Sequence, residues 1–244
     1  MISFLLCAFN EDKNIKATID KIYKSINNVK LIDNFEIVIV NDGSEDLTEK
    51  VILDLKSKDK NIIYCKNEKN LGLGKSIKKG LEYIKYPKFM LVPADNAMPV
   101  NTMTLGLKHY HSADLIMIFP INSEYRSKFR NAFSILFRLI YAVFFDCYVL
   151  YVNAPFIAPT EIVKNLKIFS ARLSIVSEIT TKLLHSDITY CEIPAFYDDP
   201  IKKRKTVILK NLLDVTSSFF KLFIEMKITN KNKFSRKSQR KNIH

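Results

Sequence analysis

The spacing of apolar residues changes along the chain in a way that separates strands from helices. Ile2–Ala8 is an unbroken apolar run, the reading of a strand buried on both faces. Met1–Phe9 carries no basic residue and is followed at once by Glu11 and Asp12, so a first strand fits better than a signal peptide. Ile15, Ile19, Ile22 and Ile26 then recur at helical spacing. Phe35–Val40 predicts a second strand, closed by Asn41-Asp42-Gly43-Ser44, a turn in which Ser44 can cap a helix striped by Leu47, Val51 and Leu55. Asn61–Cys65 predicts a third short strand. The glycine-containing turn Asn70 to Gly74 leads into a helix with Ile77, Leu81 and Ile84 on one face. Phe89–Val92, stopped by Pro93, and Leu115–Phe119 predict the fourth and fifth strands.

The second half is less regular. Arg130–Phe145 is very apolar but contains two arginines, and a membrane span needs about 20 apolar residues. A core helix or one lying in a membrane interface fits better. Residues 149–158 and 188–193 read as further strands, and Leu209–Met226 as an amphipathic helix carrying Leu212, Leu213, Phe219, Phe220 and Phe223. No repeat or Gly/Ser-rich linker divides the chain.

Strands alternating with helices predict an α/β fold with a mostly parallel central sheet, in which ligands bind beyond the carboxyl ends of the strands. The polar residues at those ends are Asn10 and Glu11, Asp42, Gly72 with Gly74, and Asp95 with Asn96. Four separate segments thus bring candidate groups to one sheet edge. Composition is ordinary for a globular chain of 244 residues. Cys7, Cys65, Cys147 and Cys191 are scattered without ligand spacing, which predicts reduced thiols in a cytoplasmic protein rather than a disulfide frame or zinc site.

The net charge of +13 is uneven. Residues 227–244 carry seven basic residues and no acid, so the organisation reads as one domain over 1–226 and a basic, disordered tail over 227–244. Such a tail is solvated, or meets an anionic surface. It has no interleaved aromatic except Phe234, so no nucleic-acid partner is expected.

Gly72-Leu73-Gly74-Lys75-Ser76 is similar to the end of a P-loop, but that motif requires glycine at position 69, which is Lys69. The ordered strand-end motifs resemble instead family 2 glycosyltransferases of the dolichol-phosphate mannose synthase-like branch. These motifs are Cys7-Ala8-Phe9-Asn10-Glu11, Asn41-Asp42-Gly43-Ser44, Asn70 to Gly74 with Gly80 beyond, and Pro93-Ala94-Asp95-Asn96. The resemblance implies the GT-A fold, a Rossmann-like nucleotide-diphospho-sugar transferase domain.

It also implies a nucleotide-sugar site of Cys7, Phe9, Asn10, Glu11, Asp42, Gly72, Gly74, Lys75 and Asp95. Phe9 and Glu11 would lie by the base and ribose, Asp42 would hydrogen-bond the nucleobase or ribose, and Asp95 would hold Mg²⁺ or Mn²⁺ against the diphosphate. Pro93 stands where the family's metal motif has a first aspartate, and only Lys205 keeps the register of its Gly-x-Ser-Lys segment. Arg126, Arg130 and Lys205 are the implied contacts to the phosphate of a lipid-linked acceptor. Glu178 is the implied catalytic base for a hydroxyl acceptor, with Asp198 and Asp199 behind it; a polyprenyl phosphate needs none. The function implied is inverting sugar transfer to such an acceptor in cell-surface glycan synthesis, peripheral at the inner membrane face. The alternative is a catalytically degenerate binding protein of the same fold at the membrane.

Overall fold

The computed structural model describes residues 1–30, 32–121, 128–170, 174–196 and 208–243. Among them, β1 (Ile2–Ala8), β2 (Phe35–Asn41), β3 (Ile62–Lys66) and β4 (Lys88–Leu91) are each followed by a helix: α1 (Ile15–Asn27), α2 (Thr48–Lys58), α3 (Leu73–Tyr83) and α4 (Val100–Lys108). After β5 (Leu115–Pro120) come α5 (Lys128–Phe145), β6 (Phe156–Pro159), α6 (Thr160–Lys164), α7 (Ile175–Leu183), β7 (Thr189–Ala195), α8 (Ile208–Ile224), a π-helical turn at Glu225–Thr229, and the two-residue β8 (Gln239–Arg240).

The strands form one sheet in the order β3-β2-β1-β4-β6-β5-β7-β8. Every pairing is parallel except those of β6, which runs against both β4 and β5. Both faces are covered, which explains the unbroken apolar runs. Ile2, Phe4, Leu6 and Ala8 enter the core on one side with α1, whereas Leu5 joins Val38, Val40 and Ile77 on the other. Gly80 permits this second layer. A Cβ there would stand 2.3 Å from Leu5 Cδ1 and 2.9 Å from Val40 Cγ2, so the missing side chain lets α3 seat on the sheet without displacing them.

Two expectations change. Of the apolar run 149–158, only Phe156–Pro159 pairs as a strand, while Val149, Val152 and Ala154 are buried as a loop. Burial without a ladder gives the same apolar signal as a strand. The tail expected to be disordered is docked over its described part. Phe234 is buried, the Ser238 and Gln239 amides donate to the carbonyls of Leu184 and Ile188 at 2.8 Å, and β8 extends the sheet beside β7. Lys227 pairs with Asp146, Arg236 with Asp187 and Arg240 with Glu192, at 3.1–3.2 Å. The first two pairs are exposed on both sides and contribute at most about 1 kcal/mol each, whereas Glu192 of the third is buried. Burying one phenylalanine contributes about 1.5–3 kcal/mol, so Phe234 is a stronger fastener than either exposed pair. The π-helical turn spans position 226.

Candidate donor site at the carboxyl edge of the sheet

The register sets the site. Ile2 lies opposite Phe35 and Ala8 opposite Asn41, so β1 and β2 end level and release their loops together. The two loops are stitched by short polar bonds. The Asn10 amide donates to Ser44 Oγ at 3.0 Å, and Asn10 Oδ1 accepts from the Glu45 amide at 2.9 Å. The Glu11 amide donates to Thr48 Oγ1 at 2.7 Å. Asn10 reaches this position with φ +56°, a left-handed conformation that asparagine tolerates. Burial acts upward on the Asp46 carboxyl, but the Thr48 hydroxyl and amide and the Asp12 amide hold it below its ordinary value. Phe9 is exposed, and Glu11 Oε2 accepts from Asn14 Nδ2 at 2.7 Å.

Asp42 is the hub. It is buried, and its Oδ1 accepts from Asn67 Nδ2 at 2.8 Å and the Leu71 amide at 2.9 Å, while Oδ2 accepts from the Gly72 amide at 2.9 Å. The carboxylate therefore ties the end of β2 to the end of β3 and to the turn that starts α3. Its expected bond to a base or ribose would share oxygens with these three donors. Gly43 (φ +69°) makes the approach possible, since a Cβ there would lie 2.4–2.7 Å from the backbone of Lys69 and Asn70. Gly72 (φ +88°) turns the chain into α3, where Gly74 is buried and Lys75 exposed. The Cys7 thiol is pushed well above its ordinary value by burial, by the nearby Asp42 charge and by Cys65.

Asn67 went unread in the sequence. It is buried and donates from one amide nitrogen to both Asp42 and Ser76 Oγ, at 2.8 and 2.9 Å. Its signal was positional: it sits one residue past the end of β3, where the same strand-end argument selects Asp42.

The fourth loop is clamped from α1. Thr18 Oγ1 donates to the Ala94 carbonyl at 3.1 Å and Lys21 Nζ to the Asn96 carbonyl at 2.9 Å. Asp95 is partly exposed and its Oδ1 accepts from the Ala97 amide at 3.2 Å. Asn96 is left-handed (φ +62°), and its buried Oδ1 has no hydrogen-bond partner. Among the described residues no three Asp, Glu, His or Cys side chains cluster as a metal cage. Asp95 is the carboxylate of this loop, and hard divalent ions such as Mg²⁺ or Mn²⁺ take a carboxylate oxygen together with phosphates and water.

The structure thus brings Cys7, Phe9, Asn10, Glu11, Asp42, Gly72, Gly74, Lys75 and Asp95 to one sheet edge. Glu178 is engaged by partners of its own. It is buried in α7, accepts from the amides of Phe169 and Ser170 at 2.8–3.2 Å, and pairs with Lys182 Nζ at 2.7 Å. Lys182 also meets Glu225 at 2.5 Å. This geometry makes Glu178 a brace for the 167–170 turn, with no exposed face to offer a substrate. Arg126, Asp198, Asp199 and Lys205 lie outside the described residues, and of Arg130 only the backbone, in α5, is described.

Comparisons with known proteins agree with this architecture. A dolichyl-phosphate beta-glucosyltransferase of Trichomonas vaginalis is 30% identical over 107 residues, 43% of this chain and 33% of its own length. An uncharacterized protein of Methanocaldococcus jannaschii is 27% identical over 151 residues, 57% of this chain and 62% of its own. The first of these matches spans only about a third of the relative. Among solved structures, mannosyl-3-phosphoglycerate synthase from Rubrobacter xylanophilus superposes with a TM-score of 0.70 at 14% identity, covering 97% of this chain and 76% of that one. Glucosyl-3-phosphoglycerate synthase from Mycobacterium tuberculosis, solved with Mn²⁺, UDP and glucosyl-3-phosphoglycerate, gives 0.65 at 16%, covering 92% and 79%. At such identities the likeness shows the fold, which is GT-A. Residues 3–160 match the family model described as glycosyl transferase family 2, and this chain is a member of that family.

Proposed function

We propose that the chain transfers a sugar from a nucleotide-sugar donor to a lipid-linked acceptor, a polyprenyl phosphate or lipid-glycan, with inversion at the anomeric carbon. The observation that carries the reading is the locked four-loop edge around Asp42 and Asp95 inside a family 2 domain. Support for the donor comes from the neighbour solved with UDP and Mn²⁺. Support for the acceptor comes from the relative named a dolichyl-phosphate glucosyltransferase. The setting proposed is cell-surface glycan synthesis at the inner membrane face.

In this reading the protein's own groups act by position and charge. The loops of Asn10, Glu11 and Asp42 cradle the nucleoside. The amides of Leu73, Gly74 and Lys75 open α3 without an intrahelical acceptor, and the Lys75 ammonium is exposed beside them; these meet the diphosphate. Asp95 would hold the divalent ion, whose chemistry is to offset charge on the departing diphosphate. An acceptor phosphate is already an anion, so attack needs no general base, and Glu178 serves as a positioning residue for the 167–170 turn. Arg126, Arg130 and Lys205 are proposed to meet the acceptor phosphate.

A thermal-shift panel of UDP- and GDP-sugars with and without Mn²⁺ tests the reading. Expected is a metal-dependent rise in melting temperature with at least one donor, lost in Asp95→Asn while the unliganded melting temperature stays. No rise with any donor would sink it. One observation favours a second reading as a non-catalytic binding protein: Pro93 removes the carboxylate that the family's motif pairs with Asp95. Sugar transfer by the purified protein excludes that reading.

A further inference from the structure

Helix α3 is held at its start by two separate bonds. Asp42 Oδ2 accepts from the Gly72 amide at 2.9 Å, which fixes the residue just before the helix. Asn67 Nδ2 donates to Ser76 Oγ at 2.9 Å, which fixes a residue one turn inside it. The two bonds are joined, because the same Asn67 nitrogen donates to Asp42 Oδ1 at 2.8 Å. Asn67 is itself anchored to β2, its backbone amide donating to the Asn41 carbonyl at 2.8 Å. Asp42, Asn67 and Ser76 are all buried, Ser76 fully so. Both N–H groups of the Asn67 side chain are therefore engaged in this bridge. A buried amide is costly unless it is bonded, and a bonded buried network fixes one arrangement of the elements it joins.

The bridge has a directional effect. One fixed point lets a helix pivot, whereas two set the direction of its axis. Gly72 and Ser76 are four residues apart, about 6 Å along the helix. Ile77, Gly80 and Leu81 pack on the sheet beyond Ser76, while in the first turn the packing is lighter, Leu73 being half-buried. Between the two fixed points stand the amides of Leu73, Gly74 and Lys75, which no side chain caps. These are the amides assigned above to the diphosphate. Asp42, at the other end of the bridge, belongs to the nucleoside loops.

We infer that Asn67 is a positioning residue that ties the nucleoside loops to the first turn of α3 and so makes the site favour a nucleoside diphosphate over the monophosphate. Being buried, it acts through Asp42 and Ser76 and not by touching the donor. The inference rests on the nucleotide-sugar reading and names the part of the donor that this network serves. It predicts a split: loosening the bridge weakens the grip on the diphosphate and spares the grip on the nucleoside.

The experiment is calorimetric titration of the full chain with UDP, UMP, GDP and GMP in the presence of Mn²⁺, weak monophosphate binding being read by displacement of the diphosphate. Wild type is expected to bind one diphosphate more tightly than the monophosphate of the same base. Ser76→Ala keeps the Asp42–Asn67 bond and suits a helix, removing only the far end of the bridge. Its diphosphate affinity should fall about five- to tenfold, within the range of one net hydrogen bond, and its monophosphate affinity less than about twofold. Asn67→Leu removes both bonds and should show the same split with a larger fall; should it misfold, Ser76→Ala alone carries the test. Equal losses for the two nucleotides would make Asn67 a general brace and overturn the inference, as would variants that bind the diphosphate like wild type. Wild type binding none of the four nucleotides overturns the donor reading and this one with it, whereas a wild type that binds and variants without the split overturn this one alone.

Discussion

Replacing Asp42 by asparagine keeps the shape of the side chain and removes its charge, which isolates its bonding role. The carboxylate accepts three hydrogen bonds, from Asn67 Nδ2 and from the amides of Leu71 and Gly72. An asparagine in its better orientation keeps an oxygen toward Asn67 and Leu71 and turns its amide nitrogen toward the Gly72 N–H, so one bond becomes a donor facing a donor. A hydrogen bond to a charged group contributes about 1.5–3 kcal/mol, against about 0.5–1.5 kcal/mol for a neutral one. Water reaches the partly exposed Gly72 and offsets part of the loss. The net cost is about 2 kcal/mol, a fall in melting temperature of about 4–8 °C for a chain of this size. Circular dichroism melts measure it, and donor-induced stabilisation should shrink in parallel as the 70–72 turn loosens. An Asp42→Asn protein melting within about 1 °C of wild type refutes the reasoning. If that protein also lost donor binding, Asp42 would be a direct ligand and not a strut.

Three further outcomes follow from the same geometry. Gly43→Ala forces a Cβ into the Lys69 and Asn70 backbone at a left-handed φ; a cost above about 2 kcal/mol is expected, and a chemical denaturation midpoint equal to wild type would contradict it. Lys182→Met leaves the Glu178 and Glu225 carboxylates buried without their cation and should cost about 3–5 kcal/mol in urea unfolding, whereas a neutral outcome would show that water reaches the pair. The Lys227 ammonium, opposed by burial and supported by Lys237, holds Asp146 below its ordinary value of 3.8. Its folded-state value being depressed, this pair stabilises docking above the ordinary value and is lost as pH falls through the depressed one. Hydrogen exchange over 227–243 should therefore rise by a modest factor below about pH 4, the pair being exposed. Exchange flat down to global unfolding would exclude that link.

The first half of the fold was legible because its strands are buried on both faces and its turns need particular residues. Asn41-Asp42-Gly43-Ser44 announces both the end of β2 and the place where Gly43 meets the Lys69 backbone. The second half hid for physical reasons. The loop before β6 buries Val149, Val152 and Ala154 and so looks like strand. The tail's cations read as solvated because their acids are remote in sequence. Asp146 lies 81 positions from Lys227 and Asp187 lies 49 from Arg236, so no local pattern shows the pairing. Glu178 was legible as a glutamate on a helix, but its burial follows from Lys182 one turn on and from Glu225 beyond any local window. Asn67 was passed over because it belongs to neither a turn motif nor an apolar stripe.

The reversed strand β6 has one more consequence. Because it runs against β4 and β5, its first residue lies at the edge where those two strands end, and its last returns to the opposite edge, where the Thr160 amide meets the Pro87 carbonyl at 2.8 Å. A fifth loop, residues 149–155, is thereby delivered to the donor side without another crossover helix. Its path is fixed by its own packing, because Val149, Val152 and Ala154 are buried in the core and the Leu150 amide donates to Glu192 at 2.6 Å. Variation at that edge is then confined to side chains such as Leu150, Tyr151 and Asn153, which are exposed or half-buried on a backbone the core holds in place.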